Sequence, residues 1–238
     1  MSEEQAVKDA LAALGTPERA AGAASFFKTG PGQYGAGDIF IGITVPEMRR
    51  VAARYRDLPL QEVEALLQSP IHEHRLTALL ILVLQYARAD AVGQTAIYDL
   101  YLRNTTRINN WDLVDSSAEY IVGPWLKDRP EKREALARLA VSPSLWERRI
   151  AMLATFAYIK QGDATDALIV AEILLHDSHD LIHKAVGWML REVGKRCGEP
   201  IEEAFLATHY RTMPRTMLRY AIERFPEKRR KAYLAGTV

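Results

Sequence analysis

The chain has 238 residues, 31 Lys and Arg against 30 Asp and Glu, and one cysteine; at 48% hydrophobic and 26% charged residues it is not a disordered chain. A lone Cys197 cannot form an internal disulfide, the longest apolar run (residues 79–84) is far short of the ~20 residues of a membrane span, and the acidic opening MSEEQAVKDA has no signal-peptide core. A cytoplasmic protein without membrane contact is expected, and the net charge of +1 gives no first sign of a nucleic-acid partner.

Residues 1–45 read as capping helices followed by a glycine-rich loop. Gly30-Pro31-Gly32-Gln33-Tyr34-Gly35 matches GxGxxG in form. A dinucleotide site needs a strand before that motif and a helix after it, and neither is present, so no nucleotide cofactor is expected. Residues 39–45 (IFIGITV) are the only strand-like run. One strand without a partner builds no sheet, which predicts an extended loop feeding a helix at Pro46.

From there the spacing is helical. Met48, Val51, Ala52, Tyr55 and Leu58 recur at three and four, as do Ile150, Leu153, Ala154 and Ala157, and later Val186, Met189, Leu190 and Val193. Thr44-Val45-Pro46-Glu47 and Ser144-Leu145-Trp146-Glu147 both read as capping boxes. The units also resemble one another: residues 66–75 (LLQSPIHEHR) align with 139–148 (LAVSPSLWER), and 174–184 (LLHDSHDLIHK) follows the same plan. A helix, a short polar turn and a second helix, repeated at about 35 residues, describe a helical repeat. The expected fold is all-α: one domain, residues 1–238, forming a right-handed α-solenoid of HEAT-like repeats with a concave binding face.

Few residues suggest chemistry. His176, His179 and His183 with Asp177 and Asp180 resemble a metal cluster, but the repeat alignment puts Asp177 to Asp180 in a turn, where such residues cap helices; no metal site is expected. Ser116 and Ser117 lack a nucleophile elbow, and Cys197 reads as packing. The aromatic and acidic residues are more telling. Trp111 and Asp115 are four apart and share a helical face; Trp146 and Arg149 are three apart; Lys184 and Trp188 are four apart. Three tryptophans are thus expected near the starts of successive second helices, each with a charged partner.

Charge is unevenly spread. Residues 1–119 carry a balance of −4 and residues 120–238 one of +5, with eight basic side chains after residue 210 against Glu223 and Glu227. A polyanion responds to such local patches rather than to the sum, although a basic run such as 228–231 can equally be a solvated helix face.

At WDLVD (111–115), LWERR (145–149), KAVGWMLRE (184–192) and MPRTMLRYAIERFPEKRR (213–230) the chain resembles the AlkD family of DNA alkylation-repair glycosylases. The resemblance implies HEAT-like repeats and a monofunctional enzyme. Such an enzyme excises cationic N3- and N7-alkylpurines from double-stranded DNA without metal or cofactor, and a monomer suffices. Carried over by motif, Asp115, Trp111, Arg149 and Trp188 are the expected catalytic residues. Arg148, Lys184, Arg191, Arg215, Arg219 and Phe27 are the expected DNA contacts. Phe27 stands where active members carry a tyrosine, and Tyr34 is a candidate for the missing hydroxyl. The spacing from Trp146 favours Arg149 as the functional arginine, while the repeat alignment pairs Arg148 with Arg75. The alternative is a non-catalytic helical-repeat protein that binds branched or damaged DNA, or a protein partner.

Overall fold

The computed structural model describes residues 2–238, and among them all regular structure is helical. Backbone contacts group the chain into two compact units, one ending at Ile121 and one beginning at Val122. The charge division follows this boundary: residues 120 and 121 are uncharged, so the first unit holds the −4 and the second the +5.

The first unit contains α1 (Glu3–Ala12), α2 (Pro17–Phe26), α3 (Val45–Arg54), α4 (Leu60–Leu67), α5 (His72–Tyr86), α6 (Ala91–Arg103) and α7 (Trp111–Asp115). Its centre is α5, on which α3 and α4 pack, and every residue from His72 to Leu82 is buried. The polar opening of α5 is therefore buried along with its apolar body, and each of those groups needs a partner. Residues 39–45 are indeed an extended loop. Ile39 makes one isolated bridge to Ile71, and the Glu73 carboxylate accepts from the backbone N–H groups of Ile41 (3.1 Å) and Gly42 (2.8 Å), doing the work of a partner strand. At the end of this loop the Glu47 carboxylate accepts from the Thr44 N–H at 2.9 Å, as the capping sequence predicts.

The chain passes along α8 (Ala118–Leu126) into the second unit. This unit holds α9 (Lys132–Ala140), α10 (Leu145–Ala154), α11 (Phe156–Ile159), α12 (Thr165–Ile173), α13 (Asp180–Arg196), α14 (Glu199–His209), α15 (Arg215–Ala221) and α16 (Glu227–Ala235). Here α13 is central, with α10, α14 and α15 packed on it. Its periodic residues Val186, Met189, Leu190 and Val193 are buried as the spacing predicts. No described helix is long and apolar enough to cross a membrane.

The repeat is visible in one turn built twice. Ser69 Oγ accepts from the Ile71 N–H, and Arg75 Nη1 donates back to the carbonyls of Ser69 (3.2 Å) and Pro70 (3.1 Å). Ser142 Oγ accepts from the Ser144 N–H, and Arg148 Nη1 donates back to the carbonyls of Ser142 (3.0 Å) and Pro143 (3.1 Å). Each arginine then reaches a distant carboxylate at 2.6 Å, Asp38 for Arg75 and Asp177 for Arg148. A third turn varies the design: Asp177 accepts from the His179 N–H, and the His183 ring meets the Asp177 carbonyl.

Two local expectations are corrected. Glu147 bonds the Ser142 hydroxyl instead of the Ser144 N–H, so the second capping box is half made: Ser144 caps Glu147, and the return bond goes to the turn. Trp188 lies beyond the second turn of α13 rather than near its start, because that helix begins at Asp180.

Helices α13 and α15 meet at Gly187, where an added Cβ would lie 2.4 Å from the Met217 carbonyl oxygen and 2.6 Å from Tyr220 Cβ. Gly187→Ala is therefore expected to lower stability by about 1–3 kcal/mol through overpacking. Gly22, in α2 with no atom within 4 Å of its would-be Cβ, provides the contrast: Gly22→Ala should raise stability by about 0.5–1 kcal/mol. Denaturant melts that moved the two variants in the same direction would contradict this account of the crossing.

Candidate functional site

Helix α7 is only five residues long, so Trp111 at its start and Asp115 at its end, four apart, lie on one face. Both are partly exposed. Asn110 begins the helix, its side-chain oxygen accepting from the Trp111 N–H at 2.8 Å. The indole Nε1–H of Trp111 donates to the Tyr34 hydroxyl at 3.3 Å. The Phe27 ring stacks on Trp111 with centroids 5.3 Å apart, and Phe26, 65% exposed, meets the indole edge-on at 5.9 Å. The glycine-rich loop thus brings a phenol oxygen to Trp111, while Phe27 supplies a ring face.

Behind this aromatic group lies a charged network. His72, with a side chain 2% exposed, bonds Asp38 through Nδ1 (3.0 Å) and Asp112 through Nε2 (2.8 Å). Burial opposes its charge, but the bonds from Asp112 and Asp38 prevail and hold the imidazole at about 9, so the ring is a cation at neutral pH. Asp38 also accepts from Arg75 and, at 3.1 Å, from Asn110 Nδ2. Burial pushes the Asp38 carboxyl up, and the His72 bond, the Arg75 charge and the Asn110 bond together carry it below the usual carboxylate range. Asp112 also braces the start of α7: its second oxygen accepts from the Leu113 N–H at 2.9 Å. The sequence marked neither His72 nor Asp38 as functional. The only available signal was the polar run from His72 to Arg75 opening a helix whose residues 76–84 are all apolar or small.

The remaining site candidates lie in the second unit. Trp188 is partly exposed and meets Phe156 edge-on at 5.8 Å. Arg149 is only 4% exposed, with Nη1 donating to the Leu181 carbonyl, so the expected phosphate contact has little exposed surface to use. Arg148 is partly buried and holds its own turn and Asp177. Lys184 pairs with Asp180 at 2.8 Å, Arg191 with Glu223, and Arg215 donates to the Leu234 carbonyl; Arg219 is exposed. Part of the basic C-terminal stretch is neutralised internally, since Arg229 holds Glu199 and Glu203, and Lys231 holds Glu227. Cys197 is not an activated thiol: burial pushes its pKa up. No described group of His, Cys, Asp or Glu has metal-binding geometry, and His179 instead caps α13.

A family model for DNA alkylation repair enzymes matches residues 7–225. The chain belongs to that family. Among solved structures, a "Predicted DNA alkylation repair enzyme from Enterococcus faecalis" is similar at 19% identity with a TM-score of 0.70, covering 90% of this chain and 97% of that one. At that identity the likeness speaks for the helical-repeat fold. No curated protein sequence matches the chain.

The His72 network gives this family member a defined pH response. Below about pH 6.5 the ring is protonated folded and unfolded alike, so its full contribution is present; between about 6.5 and 9 only the folded state keeps the proton, and stability falls. Glu202, pushed up to about 8 by burial beside Glu199 and Glu203, adds to the fall up to that pH. Urea melts should therefore show declining stability from about pH 6.5 to about 9, with a shallower decline in Glu202→Gln. A flat profile would mean that His72 is neutral in the folded protein.

Proposed function

We propose that the protein is a monofunctional DNA glycosylase that excises cationic N3- and N7-alkylpurines, such as 3-methyladenine and 7-methylguanine, from double-stranded DNA. The observation that carries this reading is Trp111 and Asp115 on one face of a short, braced helix, with Phe26, Phe27 and Tyr34 around the indole, in a DNA alkylation repair family.

The chemistry suits these groups. Alkylation at N3 or N7 gives the purine a positive charge, so when the C1′–N9 bond breaks, its electron pair leaves with the base and neutralises it. No strong general acid is required. Positive charge then develops on the sugar as an oxocarbenium ion, and the Asp115 carboxylate stabilises it and orients the water that adds to C1′ and gives up a proton to solvent. The face of Trp111 packs on the deoxyribose and favours nearby positive charge. In the second unit, Trp188 offers a stacking surface, and the largely buried charge of Arg149 acts on a phosphate through its field more than by direct grip. Lys184, Arg191, Arg215 and Arg219 supply phosphate contacts; for the first three a phosphate would replace the partners they hold in the free protein. The protein acts as a monomer, with neither metal nor cofactor.

The test is release of free 7-methylguanine from alkylated DNA. Asp115→Asn should slow release by about 100- to 1000-fold, because it removes charge and keeps shape, with DNA affinity nearly unchanged. Excision by this variant at the wild-type rate would remove Asp115 from the mechanism. Salt-sensitive binding by the wild type with no release of base would identify a non-catalytic binder instead.

A further inference from the structure

We propose that His72 is the positioning residue of this site: clasped between Asp38 and Asp112, it sets the start of α7 and thereby the presentation of the Trp111 ring and the Asp115 carboxylate. The inference rests on the reading above in taking α7 as the working helix.

Helix α7 is too short to hold its own orientation, since a single turn does not repay the cost of helix nucleation. Its first turn is fixed from outside. Asn110 and Asp112, the residues flanking Trp111, are tied respectively to Asp38 and to His72, and His72 joins those two carboxylates. A second route runs through the rings. Phe27 lies 5.0 Å from the His72 ring and 5.3 Å from the Trp111 ring, and Phe40 stacks on the imidazole at 4.6 Å. His72 thus reaches Trp111 through the Asp112 bond and through Phe27.

Only the doubly protonated ring can donate to both carboxylates. Loss of one proton would turn a lone pair toward Asp38 or Asp112 and release one of the two anchors. The charged groups facing the ring are Asp38 from the loop, Asp112 from α7 and, one bond past Asp38, Arg75 from α5 itself. The charges that act on the ring most strongly are those of Asp112 and Asp38. Because the ring is buried and both nitrogens are occupied, His72 does not itself deliver a proton to substrate.

The test uses the whole protein and reads the two rings by NMR. At neutral pH the His72 imidazole is expected to show both N–H protons. As pH is raised through about 9, the Trp111 indole N–H signal should move with the His72 titration. The Tyr34 hydroxyl accepts from the same indole, so the titration is repeated in Tyr34→Phe, where the response should survive; in Asp112→Asn it should shrink or vanish. Arg148→Gln, which cuts an arginine–carboxylate turn clamp in the other unit, should leave the Trp111 signal in place. In the excision assay His72→Gln should lower kcat by roughly 10- to 100-fold with little change in KM, as expected for misplacement of reacting groups. A single imidazole N–H at neutral pH, or an indole signal indifferent to the His72 titration, overturns the proposal even if His72→Gln fails to fold. If the wild type releases no base, the glycosylase reading falls, while the coupling between the two rings still decides the role of His72.

Discussion

The Asp38 carboxylate joins segments that have no other regular structure in common. It lies at the end of the glycine-rich loop and takes hydrogen bonds from Arg75 and His72 of α5 and from Asn110 at the head of α7. Taking these groups out of water is costly, and an incomplete set would destabilise the unit. The set is balanced: two cations, His72 and Arg75, face two anions, Asp38 and Asp112, and the carboxylates are multiply bonded. A loop that forms no sheet and a helix too short to stand alone are thereby held against the best-buried helix of the unit.

The same economy recurs in the turns. Arg75 and Arg148 occupy equivalent positions, close their own turns through equivalent carbonyls, and hold a carboxylate from another segment. Basic residues at the openings of second helices are therefore parts of the repeat before they are parts of any surface. This bears on the charge of the second unit. Its excess of +5 already counts the carboxylates that several of its cations hold, so these pairs decide where the charge sits rather than how large it is. Because those exposed pairs are individually weak, phosphates can compete for them.

The division between a rigid charged interior and a partly exposed aromatic face suits the chemistry proposed here. In that chemistry a cationic purine is already a good leaving group, and what is asked of the protein is one carboxylate and flat apolar surfaces in fixed register. The network behind α7 holds that register without presenting a competing cation, since both nitrogens of the imidazolium are occupied. Phe27 belongs to both layers, touching His72 on one side and Trp111 on the other. Tyr34 brings a hydroxyl to the indole from a loop whose motif resembled a nucleotide site only in form.

The sequence by itself determined the helical architecture, the repeat of the turns, the shared face of Trp111 and Asp115, and the division of charge along the chain. Each of these follows from local spacing: a period near 3.6, a proline or serine at a cap, a residue count between equivalent turns. Contacts distant in sequence were legible only in part. Phe27 and Tyr34 were marked through a resemblance, but nothing in their spacing placed them on Trp111. The pairing of Arg148 with Asp177 was not legible, because the two lie 29 residues apart. Trp188 read as an early helix residue, yet the turn around Asp177 and His179 starts α13 at Asp180, more than two turns before it. His72 and Asp38, 34 residues apart, had no visible connection. Only the tertiary structure decided that they meet, because burying the opening of α5 left its polar side chains in need of partners that the neighbouring loop and α7 could supply.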